Sequence, residues 1–465
     1  MPLSGYGKRT MLTRLKFENF KSWPSVDMAC GRITGIFGTN SSGKTSLLQF
    51  LLLMKQTKDA TDRATALELN GDLLELGTFF DAIHNHDENR ALAWGMEFSL
   101  EKALALTAPV RTETVELAKG NRLGISATVQ AGERTSPRTT NLEYSLNDAK
   151  FILRQKNGPG SQFDIEESGT ASTFSFVRNQ GRAWQLPSPI RSYAFPDQAR
   201  TYYQNAAFLS DLEKSYETAL DRIFYLGPLR EYPKRDYLWA RSRPTDVGKR
   251  GERAVDAILA ATEALDRRNL KYKGLKKPFQ QIVAHWLRHL GLIEDFQMEE
   301  LGANSNRWQA FVRTKKAGSK VLLTDVGFGI SQVLPVITLL LYVPEGSTVL
   351  LEQPEIHLHP LAQAALADVI IYAANHRKVQ VILESHSEHL LLRLQRRVAE
   401  EVISADDVKL YFCDAPRGES KLTELELSLF GNIDNWPSQF MGDAFGEAAK
   451  AEEARLKRMM ADSRA

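Results

Sequence analysis

The chain has 465 residues, 43% hydrophobic and 25% charged, with a formal net charge of +2. That length allows two or three domains with generous cores, and the near-neutral balance excludes a surface built throughout for nucleic acid. Two cysteines, Cys30 and Cys413, exclude a disulfide framework or a zinc cluster, and no apolar run reaches the 18 residues of a membrane span, so a cytoplasmic setting with no membrane partner is expected.

In chain order, alternation over 12–17 predicts a strand, then a turn at Lys21, Ser22, Trp23 and Pro24, then a short buried strand over 33–37. The next stretch is Gly38-Thr39-Asn40-Ser41-Ser42-Gly43-Lys44-Thr45-Ser46, in which two glycines five apart are followed at once by Lys and Thr. The apolar run 47–54 after it predicts a helix ending near Lys55, which completes the strand, loop, helix setting of a phosphate loop. Backbone N–H groups of such a loop and the positive end of the helix dipole cradle a triphosphate. Lys44 then serves the β- and γ-phosphates and Thr45 ligates Mg²⁺.

Strands are predicted at 73–76 and 93–98. Between 110 and 186 short alternating segments (123–129, 142–146, 151–154, 163–165 and 174–177) predict an inserted sheet. Helices are expected over 206–224, 252–268 and 278–292, none with sustained heptads, so no coiled-coil arm is expected. After strands at 296–300, 308–314 and 321–324 the pattern alternates: helix 331–342, strand 348–352, helix 360–375, strand 379–384, helix 388–402, strand 408–412. Helices on a mostly parallel sheet give that signature. The fold class is α/β, one P-loop NTPase domain split around a β-rich and a helical insertion. The expected divisions are 1–95, 96–205, 206–307, 308–412 and a C-terminal docking or capping segment, 413–465.

A phosphate loop needs a carboxylate for its metal at the end of a buried strand, and the apolar strand 348–352 delivers Glu352 there, followed by Gln353, Pro354 and Glu355. A second buried strand ends in Glu384-Ser385-His386-Ser387. A glycine loop, Gly327-Phe328-Gly329-Ile330-Ser331-Gln332, opens a helix with Ser331 expected as N-cap and Pro335 in its first turn. These pieces in this order resemble the ATP-binding-cassette type heads of the SMC, RecF and OLD ATPases, over roughly 11–95 and 308–412. The resemblance implies Mg·ATP on residues 38–46, Glu352 as metal-side acid, and Gly329 and Ser331 meeting the γ-phosphate held by a second copy. His386 takes the place of the switch histidine, and self-association into a dimer or larger assembly is implied. Gln353 stands where the family's general base is usual, and an amide cannot take a proton at neutral pH. Glu355 is then the nearest replacement, with Glu352 or Glu384 helping, and slow or regulated hydrolysis is expected. The family's glutamine loop is not placed; Gln56 ends the first helix too early.

Basic residues bunch from Arg230 to Arg253 with Tyr232, Tyr237 and Trp239 among them, a pattern suited to DNA or partner contact, or to delivering Arg230 to nucleotide. His84-Asn85-His86 lacks the spacing of an HNH nuclease site, and His357 and His359 read as loop-shaping residues. Residues 431–440 and a charged helix over 444–460 look like a docking element. This tail is similar to that of OLD-like ATPases encoded beside a nuclease in anti-phage defence systems of the Septu and PARIS types. The resemblance implies an ATP-gated switch for a nuclease on another chain. Two alternatives stay open: a RecF-like ATPase acting directly on DNA, and a non-hydrolysing ATP-bound scaffold.

Overall fold

The computed structural model describes residues 10–110, 113–132, 136–156, 162–179, 181, 185–269, 275–302, 305–437 and 454–455. Two sheets sandwich the helix that follows the phosphate loop. The first has six strands in the order Lys421–Leu425, Val408–Asp414, Ile33–Gly38, Gln380–Glu384, Thr348–Glu352 and Ile223–Leu226, all parallel except the first pair. Its central strands are apolar without interruption because both faces are covered. Ile36, Leu350, Ile382 and Tyr411 join the core beneath one face, while Phe37, Leu351, Leu383 and Phe412 join the core beneath the other.

The second sheet has seven antiparallel strands: Trp23–Ala29, Met11–Phe20, Leu92–Val110, Glu113–Ala131, Pro137–Leu146, Ala149–Gln155 and Phe163–Gly169. The small N-terminal sheet and the expected inserted sheet are therefore one, joined by the long strand Leu92–Val110, which pairs with Met11–Phe20 on one side and Glu113–Ala131 on the other. Helix Lys44–Asp59 lies between the two sheets and is buried on nearly every face. Phe50 stacks on Phe17 at 4.8 Å and meets Phe20 edge-on at 5.3 Å, which ties the helix to the antiparallel sheet.

Helices Ala254–Glu263, Phe279–His289, Phe328–Tyr342, Pro360–His376 and Glu388–Ala399 cover the far face of the parallel sheet. A small sheet of Tyr237–Leu238, Asp295–Glu300, Arg307–Arg313 and Val321–Leu322 packs against this group. Among the described residues no helix is long and apolar enough to cross a membrane.

Four expectations are corrected. Trp23 and Pro24 open an edge strand rather than a turn; the reversal is the two residues Lys21 and Ser22, since Phe20 pairs with Trp23. Pro24 is tolerated because an edge strand leaves one side of its backbone unpaired. Residues 73–76 form no strand but a loop closed by a single Asn70–Glu75 bridge, held by the buried Gln56 amide, which accepts from Leu73 and Leu74 N–H and donates to Glu68 and Leu74 carbonyls. Residues 174–177 are irregular. Ser331 is not an N-cap: the helix starts at Phe328 behind Gly327, which puts Pro335 in its interior, against Gly251.

Up to residue 437 the C-terminal segment packs on its own chain. Gly431 accepts a bond from Gln395 on helix Glu388–Ala399 (2.9 Å), and Asn435 bridges Glu424 and Glu426. Residues 438–440 and the helix expected over 444–460, apart from 454–455, lie outside the described residues.

The pair of helices that leave the parallel sheet is clamped by one carboxylate. Asp368, on Pro360–His376, receives His289 at 2.9 Å, Arg393 at 2.7 Å and Arg397 at 2.7 and 3.0 Å. Burial alone would raise its pKa, but these three partners hold it well below the ordinary carboxylate range. A carboxyl with a depressed folded pKa stabilises fully above its unfolded value of about 3.9, and that stability fades as pH falls below about 4. Asp368→Asn is expected to cost about 2 kcal/mol at pH 7, discounted for the partly exposed arginines, and progressively less on acidification; urea denaturation at pH 7 and at pH 3 checks both.

Candidate functional site

The site lies at the C-terminal ends of three adjacent parallel strands, where Ile36, Glu384 and Glu352 stand in register. Apolar runs ending in Leu-Glu deliver both acids, and the buried strands fix their positions. The loop from Gly38 to Ser46 curls over the strand end into helix Lys44–Asp59. Only glycine fits two of its corners. A Cβ on Gly38 (φ +144°) would lie 2.0 Å from the Cys413 carbonyl oxygen. One on Gly43 (φ +86°) would strike Ser420 and Ser22 Oγ and Trp23 Nε1. Ser22, Ser420 and Trp23 wall the loop from behind, with Trp23 Nε1 donating to Gly43 O at 3.0 Å. Ser42 Oγ donates to Thr39 O at 2.8 Å, and Ser41 takes a left-handed φ of 59°. The helix has no side-chain cap and no acid in its first turn, which leaves its N-terminus to an anion.

Lys44 is buried, and its ammonium donates to Gly38 O (3.1 Å) and Thr39 O (2.6 Å). Burial lowers its pKa, opposed by nearby Glu384, Cys413 and Glu355. Thr45 Oγ1 donates to Glu384 Oε2 at 2.8 Å. Glu352 accepts from Tyr225 OH at 2.8 Å. Burial pushes the Glu352 carboxyl up to about 7, the Tyr225 bond pulls it down, and Glu384 adds to the rise.

Gln353 follows in a strained left-handed conformation (φ 43°), with its N–H on Glu384 O at 2.9 Å. That bend turns Glu355 back beneath the site. Glu355 is buried and accepts the His386 N–H at 2.8 Å through Oε1, while Oε2 has no partner; burial raises its pKa. Arg230, also buried, reaches the carbonyls of Glu352 and Gln353 (3.1 Å each) through Nη2. Its Nε and Nη1 are unpartnered, and burial lowers its pKa to about 10 against the pull of Glu355.

The His386 ring is exposed beside the loop. Burial of its neighbourhood and Lys44 lower its pKa, while a bond to the Gly38 backbone opposes them. Ser331 is turned inward, its hydroxyl on Phe328 O at 2.9 Å. Gly329 packs on the His357 carbonyl, and Phe328 and Tyr232 project into solvent in edge contact at 5.7 Å.

Of the expected site residues, the structure therefore gathers residues 38–46, Glu352, Gln353, Glu355 and His386, while Gly329 and Ser331, expected to serve a second copy, lie in the first turn of helix Phe328–Tyr342. Tyr225 was not expected here, and Glu384 only as a helper. Glu384 carried a visible signal, because its strand ends as the Glu352 strand does.

The other motifs find structural uses. His84 and His86 hold the backbone carbonyls of Lys21 and Phe80 through Nδ1, and His359 caps helix Pro360–His376. Trp239 is in the core, while Lys234, Arg235, Arg241 and Arg253 pair with Glu231, Asp325, Glu263 and Asp246.

Residues 33–393 match the family described as AAA domain, putative AbiEii toxin, Type IV TA system. The chain belongs to this family. Residues 403–450 of this AAA-domain protein also match a family of unknown function, DUF3696. No curated protein matches it in sequence. Solved structures similar to it include the SMC head bound to the C-winged helix domain of ScpA, at 12% identity and a TM-score of 0.42, covering 90% of this chain and 98% of that one. The SMC head domain from Thermotoga maritima is similar at 11% and 0.39, covering 89% and 99%. The Pyrococcus furiosus Smc head with an extended coiled coil, bound to the C-terminal domain of ScpA, is similar at 10% and 0.42, covering 90% and 97%.

Proposed function

We propose that this AAA-domain protein is a slowly hydrolysing Mg·ATP switch, in which nucleotide brings two copies together and their closure gates a partner effector. The observation that carries this reading is the Thr45–Glu384 contact, which joins two segments distant in sequence over one glycine-walled anion cradle.

The residues present suit Mg·ATP. Lys44 and the helix N-terminus face phosphate, Thr45 with Glu352 and Glu384 supplies oxygen ligands, and the unpartnered Arg230 and Glu355 atoms offer a cation and a base beside it. The metal, when bound, neutralises charge on the phosphates. Glu355 holds a proton more readily than an exposed carboxylate, as suits a general base, and Gln353 cannot share that work. Gln353 also favours a second reading, a scaffold that binds ATP without hydrolysing it.

Exposed large apolar side chains at Leu229, Tyr232, Phe328 and Leu361, of which Tyr232 and Phe328 touch, support pairing, since apolar surface left in water suits a partner. The effector is expected to be a nuclease on a separate chain in anti-phage defence. The resemblance of the C-terminal segment to operon-encoded defence ATPases supports this.

The test is mass in solution. With Mg²⁺ and a non-hydrolysable ATP analogue the protein is expected to run at twice its single-chain mass, and Phe328→Asp to weaken that pairing about tenfold. A mass indifferent to nucleotide would overturn the two-copy switch.

A further inference from the structure

We infer that Glu384, rather than Glu352, is the principal carboxylate for the nucleotide's divalent cation. The inference rests on the Mg·ATP reading and deepens it.

Three observations carry it. The first is topological. The Glu384 strand is the immediate neighbour of the phosphate-loop strand, whereas the Glu352 strand is one place farther out. Neighbouring strands lie about 4.8 Å apart, so Glu384 starts one full strand nearer the phosphates.

The second is the contact itself. Thr45 Oγ1 and Glu384 Oε2 are 2.8 Å apart. Two adjacent ligands of an octahedral Mg²⁺ with bonds near 2.1 Å lie about 3 Å apart, so this pair needs little rearrangement to share one ion. With the cation bound, Thr45 would hold it through a hydroxyl lone pair and Glu384 through a carboxylate oxygen, in place of the hydrogen bond between them.

The third is what holds Glu352. Its Oε1 is engaged by Tyr225, whose phenol is kept protonated by burial and by Glu352 itself. Tyr225 thus acts as a positioning residue that keeps Glu352 on the far side of Glu384. The two acids stand side by side in register, and only one has Thr45 as its partner. Lys44 agrees with this placement, Glu384 being foremost among the charges that oppose the effect of burial on it.

The test compares nucleotide affinity with Mg²⁺ and with EDTA, by displacement of a fluorescent ATP analogue, and needs no turnover. For Glu384→Gln the tightening conferred by Mg²⁺ is expected to shrink at least about tenfold, since the cation loses a charged oxygen ligand, while affinity in EDTA does not fall, because the change only removes a negative charge beside the phosphates. The EDTA arm also shows that the variant is folded. Glu384→Asp should recover part of the Mg²⁺ effect. Glu352→Gln should shrink the Mg²⁺ effect by less than Glu384→Gln does, because Glu352 stands one strand farther out and is engaged by Tyr225.

A Glu352→Gln protein that loses as much of the Mg²⁺ effect as Glu384→Gln, or more, would overturn the assignment. Wild-type protein that binds no nucleotide in either arm is a different result, which removes the Mg·ATP reading itself.

Discussion

Lys44→Ala is expected to weaken ATP binding about 100-fold while leaving the melting temperature nearly unchanged. The ammonium is buried, and its partners are two loop carbonyls, Gly38 O and Thr39 O. Neutral acceptors do not fully repay the desolvation of a buried cation, and burial lowers its pKa, so the group gains from a stronger anion. Two charge-assisted bonds to phosphate oxygens at roughly 1.5 kcal/mol each give about 3 kcal/mol, which is the hundredfold. Stability should change by less than about 1 kcal/mol, because alanine is a good helix former and only loop carbonyls are released. Titration calorimetry with ATP beside thermal denaturation checks both halves. Equal ATP affinity in the variant would mean that the loop is not a phosphate site.

The parts of this architecture that were legible in the sequence are those in which local pattern and tertiary setting agree. Strands buried on both faces, such as 348–352 and 380–384, read as unbroken apolar runs, and the phosphate loop carries its own spacing. Pattern failed where a neighbour decides. Pro24 marks a turn in isolation, yet it is accommodated because its strand lies at a sheet edge. Residues 73–76 alternate like a strand, but the Gln56 amide occupies their backbone groups, so no ladder forms. Ser331 is a strong N-cap residue in isolation, but the helix begins one turn earlier at Phe328, and the Ser331 hydroxyl donates back to Phe328 O instead of capping.

The site shows the same division. The positions of residues 38–46 and Glu352 follow from strand and loop signals alone. The link between Thr45 and Glu384 depends on which strand lies beside the phosphate-loop strand, and strand order is not written in periodicity. Nor is the burial of Arg230: its basic neighbours are surface residues paired with acids, and only the packed structure separates it from them.

Glu355→Gln is expected to lower ATP turnover by about 10²- to 10⁴-fold, the usual worth of a positioned general base, with ATP affinity changed no more than about threefold. The strained bend at Gln353 and the bond from the His386 N–H hold the Glu355 carboxylate by one oxygen and leave the other unpartnered in a dry environment. A group so placed gains from accepting a proton, because burial already penalises its charge. The amide of Gln353 occupies the customary position without that ability. Gln353→Glu would therefore add a second base and is expected to raise turnover about tenfold. The two variants separate the switch from the scaffold by steady-state phosphate release. Turnover present in wild type and lost with Glu355→Gln identifies the base in use. An inert wild type awakened by Gln353→Glu would mean that the glutamine keeps ATP bound and unhydrolysed, so that the chain works by holding nucleotide rather than by consuming it.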